Sequence, residues 1–421
     1  MTAPFIKTSR SLNNLENNLN TPENKPRTIL SVQVMRGLAA VAVAIFHAHV
    51  ILARPEYGEF NILPSIASKG WLGVNFFFVL SGFIIMFAHV NDVGNPKRIA
   101  NYIWKRFSRV YPVYWIFLTF FLAAAYRGIG HPNFSWDGGN ILTAYALVKL
   151  CDQFSLPLQV AWTLFYEITF YAVFMLLLVH RTVGIVALAA WMFSVLVSSL
   201  VFGNVEWGLL NIWNAYFVVG MLVYLLYRKS DGKWAIPILT AGLAILLVMV
   251  CGVIGEMEYV QKHPWMMLSL ALPFALILLG CALGEQRYGW QPPRFLLALG
   301  DSTYAIYLVH SPAITMIALL NYKFTLGAMP PLALFAITAG GSVIAGILAH
   351  LFVERPVLGF LRSLETRDVG AKARAYGRAL ASVAVQSARS LSMAATHMRY
   401  APLRWRHPSV IGPTMPGADM I

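Results

Sequence analysis

Ten stretches of roughly 17–25 residues run almost continuously apolar along this chain, each about the length an α-helix needs to cross the ~30 Å hydrocarbon core of a bilayer. They fall near 30–53, 70–90, 111–126, 159–179, 183–202, 208–227, 234–254, 266–284, 295–319 and 331–353, the third being the shortest. Continuity matters as much as length. Strands of a membrane barrel alternate apolar and polar residues, and these runs do not, so an all-β reading is excluded. With 58% hydrophobic and only 12% charged residues the chain also departs from soluble, disordered or fibrous proteins, since a soluble domain carries about a quarter charged residues. The expected fold is therefore all-α: a polytopic integral membrane protein of about ten transmembrane helices. Residues 1–28, polar and rich in asparagine, are expected to be a disordered cytoplasmic segment. They lack the short apolar core and cleavage site of a signal peptide, so the first span is expected to be an uncleaved anchor. Residues 29–358 form the expected transmembrane domain and 359–421 a basic cytoplasmic tail.

Lys and Arg number 32 against 18 Asp and Glu, a net +14. In a soluble protein that excess suggests nucleic acid. Here its placement gives another reading. Threading ten spans with the N-terminus inside leaves 26 basic residues on the inner side and six (Arg54, Lys69, Arg127, Lys149, Lys262 and Lys323) on the outer. Without the tail the ratio is still 16 to six, which predicts an N-in, C-in orientation. The scattered Cys151, Cys251 and Cys281 imply neither a disulfide framework nor a zinc site, and no metal is expected.

Ionisable groups inside spans are costly and therefore functional candidates. The first span holds Arg36 and His47, eleven residues and so about three turns apart: one face, ~16 Å along the axis. A neutral imidazole within a bilayer can take a proton from a hydroxyl; the alternative is a histidine bonded between helices, with Arg36 reaching to lipid phosphate. In the second span Ser81 and Gly82 interrupt an aromatic wall and allow close approach of a helix or a ligand. Residues 97–112 read as a basic amphipathic helix in which Arg106 and Arg109 are i,i+3 neighbours, a pair suited to phosphate groups or to anionic lipid. Span four contains Trp162, Glu167 and Tyr171, with carboxylate and phenol sharing a face, and His47 or an arginine is the expected partner of Glu167. Span nine carries Asp301, read as an N-cap, and His310 near its middle.

Taken in order, Arg36-x10-His47, the Phe-rich run ending Ser81-Gly82-Phe83, Arg106-x-x-Arg109-x-x-Pro112, Trp162-Thr163-Leu164-x-x-Glu167-x-x-Phe170-Tyr171, Leu299-Gly300-x-Ser302-x-Tyr304-x-x-Tyr307-Leu308-x-His310 and Glu354-Arg355-Pro356 resemble acyltransferase family 3 of integral membrane proteins. Within it the pattern is similar to bacterial exopolysaccharide O-acetyltransferases of succinoglycan type, from about residue 30 to 358. The resemblance implies a bacterial inner-membrane, multi-pass enzyme with acetyl-CoA as co-substrate and no tightly bound cofactor. It implies a carbohydrate or lipid-linked oligosaccharide hydroxyl as acceptor, and Arg36, His47, Arg106 and Arg109 as functional positions. Membrane lipids are further expected partners, self-association stays open, and nucleic acid is not expected.

On that reading His47 is the base and Glu167 orients or balances it. Arg36, Arg106 and Arg109 meet the donor's phosphates, and Ser81, Trp162, Tyr171 and His310 line the substrate site. Two further readings stand beside it: a transporter or flippase for a lipid-linked or acidic metabolite, and a scaffold for polysaccharide synthesis, which leaves Arg36 and His47 without a role. No internal repeat of the kind common in transporters is visible.

Overall fold

The computed structural model describes residues 28–128, 134–151, 154–203, 208–254, 257–325 and 329–364. The expected disordered segment 1–28, Thr28 excepted, and the basic tail beyond 364 lie outside them. The chain divides into two units, Met1–Leu358 and Gly359–Ile421, and everything below concerns the first.

All regular structure among the described residues is helical, with no strand. The main elements are α1 (Leu30–Leu52), α2 (Leu72–His89), α3 (Ile99–Tyr126), α4 (Gly138–Ala146), α5 (Trp162–Val179), α6 (Arg181–Val201), α7 (Trp213–Lys229), α8 (Ala235–Val248), α9 (Met257–Lys262), α10 (Pro264–Tyr288), α11 (Arg294–Asp301), α12 (Thr303–Thr325) and α13 (Pro331–Ala349). Nine helical stretches in the described residues are long and apolar enough to cross a membrane, and the chain is a multi-pass membrane protein. The tenth expected run is α7, which at 17 residues reaches ~26 Å, slightly less than the hydrocarbon core.

Two boundaries differ from the sequence reading. The basic stretch expected as a separate loop helix and the short third span are one continuous 28-residue helix, α3, with Pro112 inside it. Arg106 and Arg109 are thereby fixed rigidly to a transmembrane element. The ninth run breaks at Ser302 into α11 and α12, and Asp301 ends α11 instead of capping α12. Its Oδ1 accepts from Gln33 Nε2 (2.6 Å), an amide that also donates to the Leu297 carbonyl, so Asp301 ties α11 to α1.

Helix α1 is the hub, packing against α2, α10, α11, α12 and α13. Its first N–H groups receive no side-chain cap from Ile29. The Glu285 carboxylate of α10 supplies the acceptors instead, taking the backbone N–H of Leu30 at 2.8 Å and of Ser31 at 2.6 Å. That satisfies donors which would otherwise be orphaned, with a negative charge at the positive end of the helix dipole.

Close approach through glycine sets the spacing of α2 and α7. A Cβ on Gly82 would collide with the Phe217 backbone, and one on Gly220 with the Val79 carbonyl. Without a hydrophobic force between helices in lipid, such backbone contact carries much of the association. We expect Gly82→Leu to cost about 1–3 kcal/mol or more by overpacking. In thermal unfolding of the detergent-solubilised protein its midpoint should fall clearly, while Gly284→Ala, whose new Cβ meets open space, should leave it unchanged.

Candidate active site

A cleft of about 770 Å³ opens among α1, α2, α3, α5 and α12. Arg36, Ser81, Arg109, Glu167, Tyr171 and Tyr307 supply its functional groups, while Phe77, Phe78 and other apolar side chains of α2 form a wall. Five separate segments of the sequence thus converge on one space. The Ser81–Gly82 pair divides its work: Ser81 faces the cleft, and Gly82 faces α7. Tyr304 of α12 donates to the Val110 carbonyl (2.9 Å) and so fixes the turn of α3 that carries Arg109.

Arg36 and Arg109 are half-buried, and neither is hydrogen-bonded or ion-paired to another described residue. Arg36 lies within electrostatic reach of Arg109, Glu167 and Glu354. The expected partnership of Glu167 with His47 or an arginine is not made. The Glu167 carboxylate accepts instead from the Tyr171 hydroxyl, one turn on along α5. Glu354, at the end of the last span, is buried and bonded to His350 (2.9 Å).

Arg106 stands behind this wall and does not line the cleft. Its guanidinium lies 5.8 Å from the ring centre of Tyr102 and 5.6 Å from that of Tyr171, within cation–π range. Its Nη2 is 3.1 Å from His89 Nε2, and His89 Nδ1 is 2.9 Å from Asp92 Oδ2. A carboxylate only accepts, so Nδ1 carries the imidazole hydrogen and Nε2 receives the arginine N–H. Asp92–His89 is therefore a bracket holding Arg106 against Tyr171. The sequence reading missed it, although a His–Asp pair at i,i+3 just before a basic helix was there to be noticed.

His47 and His310 face each other deeper along α1 and α12, with ring centres 4.9 Å apart and His310 Nε2 to His47 Nδ1 at 3.3 Å. Their hydrogens follow from their other partners. His310 Nδ1 meets the Ile306 carbonyl (3.0 Å), so it carries the hydrogen and leaves Nε2 with a lone pair. His47 Nδ1 meets that lone pair and the Val43 carbonyl (2.9 Å), both acceptors, so it too is protonated. His47 Nε2 is left with its lone pair and has no partner among the described residues.

Neither histidine lines the cleft. The link between them and it is Tyr307, which lines the cleft, lies 5.8 Å from His310 and meets Phe77 of the cleft wall edge to face at 6.1 Å between ring centres. The Tyr307 hydroxyl donates to the Val160 carbonyl (2.7 Å) and is paired with Thr163, which holds the ring at the edge of the cleft. Trp162 packs among Phe78, Tyr166 and Trp213 and supports the cleft wall from behind. His49, on the same helix, bonds the Ile62 carbonyl. Among the described residues no three His, Cys, Asp or Glu side chains are placed to hold a metal ion.

The profile of the acyltransferase domain family, Acyl_transf_3, matches residues 29–350, which include every group of the cleft and both histidines. The chain belongs to acyltransferase family 3, and it is an enzyme of the membrane-bound O-acetyltransferase type. Membership sets aside the transporter and scaffold readings. Three curated relatives are similar to it. The "Exopolysaccharide production protein ExoZ" of Rhizobium meliloti (strain 1021) is 28% identical over 303 residues, covering 69% of this chain and 90% of that one. "Putative acetyltransferase ORF330" of Acidianus two-tailed virus is 26% identical, over 66% and 80% of the two chains. "Putative membrane-bound transacylase BcsY" of Komagataeibacter xylinus is 23% identical, over 80% and 84%. No solved structure matches significantly.

The bracket on Arg106 has a measurable consequence. Hydrogen bonds to a charged group are worth about 1.5–3 kcal/mol, roughly tenfold or more in a binding constant. His89→Ala should therefore raise KM for the acyl donor about tenfold with kcat within about twofold. His89→Gln, whose amide can both accept from Arg106 and donate to Asp92, should recover most of the loss in steady-state kinetics.

Proposed function

We propose that this enzyme transfers an acetyl group, or a related acyl group, from acyl-coenzyme A to a hydroxyl of an exopolysaccharide or its lipid-linked oligosaccharide precursor. In this reading it sits in the bacterial inner membrane with both termini in the cytoplasm, and the donor enters from the cytosol. The observation that supports the proposal is the placing of open cationic groups and an open imidazole lone pair on either side of Tyr307. On one side of Tyr307 are Arg36 and Arg109, guanidiniums with no hydrogen bond or ion pair to a described residue. On the other is the unshared lone pair of His47 Nε2.

The chemistry follows from that order. Arg36 and Arg109 take the phosphates of coenzyme A, a ligand that forked, permanently charged donors suit better than ammonium groups do. Arg106 stiffens the wall through Tyr171. The pantetheine arm extends past Phe77 and Tyr307 and brings the thioester carbonyl to His47. His47 Nε2 removes the proton of the sugar hydroxyl, and the oxygen attacks the thioester carbon. The tetrahedral intermediate then collapses with cleavage of the carbon–sulfur bond, and the imidazolium returns the proton to the departing thiolate. His310 holds the productive tautomer and accepts from the Nδ1–H as positive charge develops, the task often given to a carboxylate. Glu167 belongs to the donor side, where it fixes Tyr171 and balances Arg36. ExoZ is named for exopolysaccharide production, which supports a carbohydrate acceptor here.

The test is turnover of labelled acetyl-CoA by the purified protein with and without an acetylatable oligosaccharide. His47→Ala should lower kcat by about 10²–10⁴-fold, the range of general-base catalysis, with little change in donor KM. Arg36→Gln and Arg109→Gln should instead raise donor KM. Full acetylation by His47→Ala would overturn the mechanism, and failure to release coenzyme A with any hydroxyl acceptor would overturn the donor assignment.

A further inference from the structure

A second concavity, of about 1,090 Å³, lies outside this passage, among the ends of α2, α5 and α7 and the start of α6. Its floor is apolar: Met86, Leu177 and Met221 are buried, and Leu188 and Leu222 flank them. The residues lining it include two charges, Arg181 and Arg228, and no carboxylate. Both guanidiniums are exposed, and neither is hydrogen-bonded or ion-paired to a described residue.

The two arginines mark one end. Arg181 is the first residue of α6 and Arg228 stands one from the end of α7, and the lining continues away from them. Along α6 it reaches Leu188, about 10 Å on, and along α7 it reaches Val218, about 15 Å on. The result is an apolar track of hydrocarbon-chain length with paired cations at its head. Arg228 complements the negative end of the α7 dipole, whereas Arg181 sits at the positive end of α6, where a cation is disfavoured unless an anion joins it. A passing hydrocarbon surface would fill the track but would make no use of the arginines. A free phosphate would meet the arginines but leave the track to unspecific lipid. A single molecule with both parts satisfies both.

We infer that this groove is a binding site for a phosphate-bearing anionic membrane lipid, its phosphodiester held between Arg181 and Arg228 and an acyl chain lying along Leu188, Leu222 and Met221. The site is separate from the acyl-transfer passage and does not depend on the reaction assigned to it. Two guanidinium forks recognise a phosphodiester with net negative charge, and a zwitterionic headgroup offers the same phosphate with its charge already balanced by an ammonium.

Native mass spectrometry of the full chain, released from detergent after titration with phosphatidylglycerol or phosphatidylcholine, tests this. The wild type should retain phosphatidylglycerol at least fivefold more than phosphatidylcholine. The Arg181→Gln/Arg228→Gln double variant should retain the two equally, and Arg181→Lys/Arg228→Lys should keep an intermediate preference. Leu222→Trp, at an exposed lining position, should lower retention of the anionic lipid by narrowing the track with the arginines intact. Equal retention by the wild type, or an undiminished preference in the double Gln variant, overturns the inference. So does displacement of the lipid by millimolar inorganic phosphate, which would make the site one for a free anion. A dimer whose formation excludes lipid from the Arg181–Arg228 groove also overturns it.

Discussion

The first N–H groups of a helix have no acceptor within it, and α1 begins with Leu30 half-buried and Ser31 buried. Ile29 has no side-chain acceptor to offer, and each unsatisfied buried N–H would be costly. The Glu285 carboxylate, from a helix 254 residues later in the chain, meets two of these donors. This one interaction fixes where α1 starts relative to α10. From there the positions of Arg36 and His47 are set by helical rise alone, one in the cleft and the other beyond Tyr307. Gln33, Asp301 and the glycine contact of Gly37 with Gly300 then hold α11 to the same helix. Because α1 carries both Arg36 and His47, the two positions on which the proposed reaction rests, its seating governs their spacing.

Several polar groups around the cleft are tied to protein partners, and a few are left open. Glu167 is committed to Tyr171, His89 to Asp92 and Arg106, and His310 to Ile306 and His47. Arg36, Arg109 and His47 Nε2 make no hydrogen bond or ion pair with any described residue. In a low-dielectric interior an uncommitted group carries a cost, so such groups persist where a ligand completes them. On the proposed function this separates groups left open for a substrate from groups that brace them, and Arg106, which sequence spacing alone made the twin of Arg109, lies behind the cleft wall with the second kind.

Local order explains what could be read from sequence. The apolar runs, the shared face of Arg36 and His47, and the Glu167–Tyr171 pair depend on spacings within one helix, and all are found. Boundaries slipped where two local signals abutted. The basic helix and the third span have different compositions but one uninterrupted backbone, and the ninth run hides a break at Ser302. The partnerships were illegible for a different reason. That His47 turns to His310 instead of Glu167, that Asp301 meets Gln33, and that Glu285 caps α1 are contacts across more than 250 residues, which no periodicity encodes. Residue type identified the groups, but three-dimensional neighbours decided their roles.

The Phe77–Tyr307 pair bears on a hazard common to enzymes that hold an activated ester near a base. Any water that reaches both at once turns a transferase into a thioesterase and squanders the donor. The Tyr307 ring, pinned through its hydroxyl to Val160 and Thr163 and edge to face with Phe77, links the arginine cleft to the histidine pair. On the proposed mechanism a thioester reacts at His47 only after its own arm has passed those rings. Fidelity, on that mechanism, is then a matter of plumbing: the same rings that the acyl arm must pass also keep the water of the arginine cleft from the imidazoles.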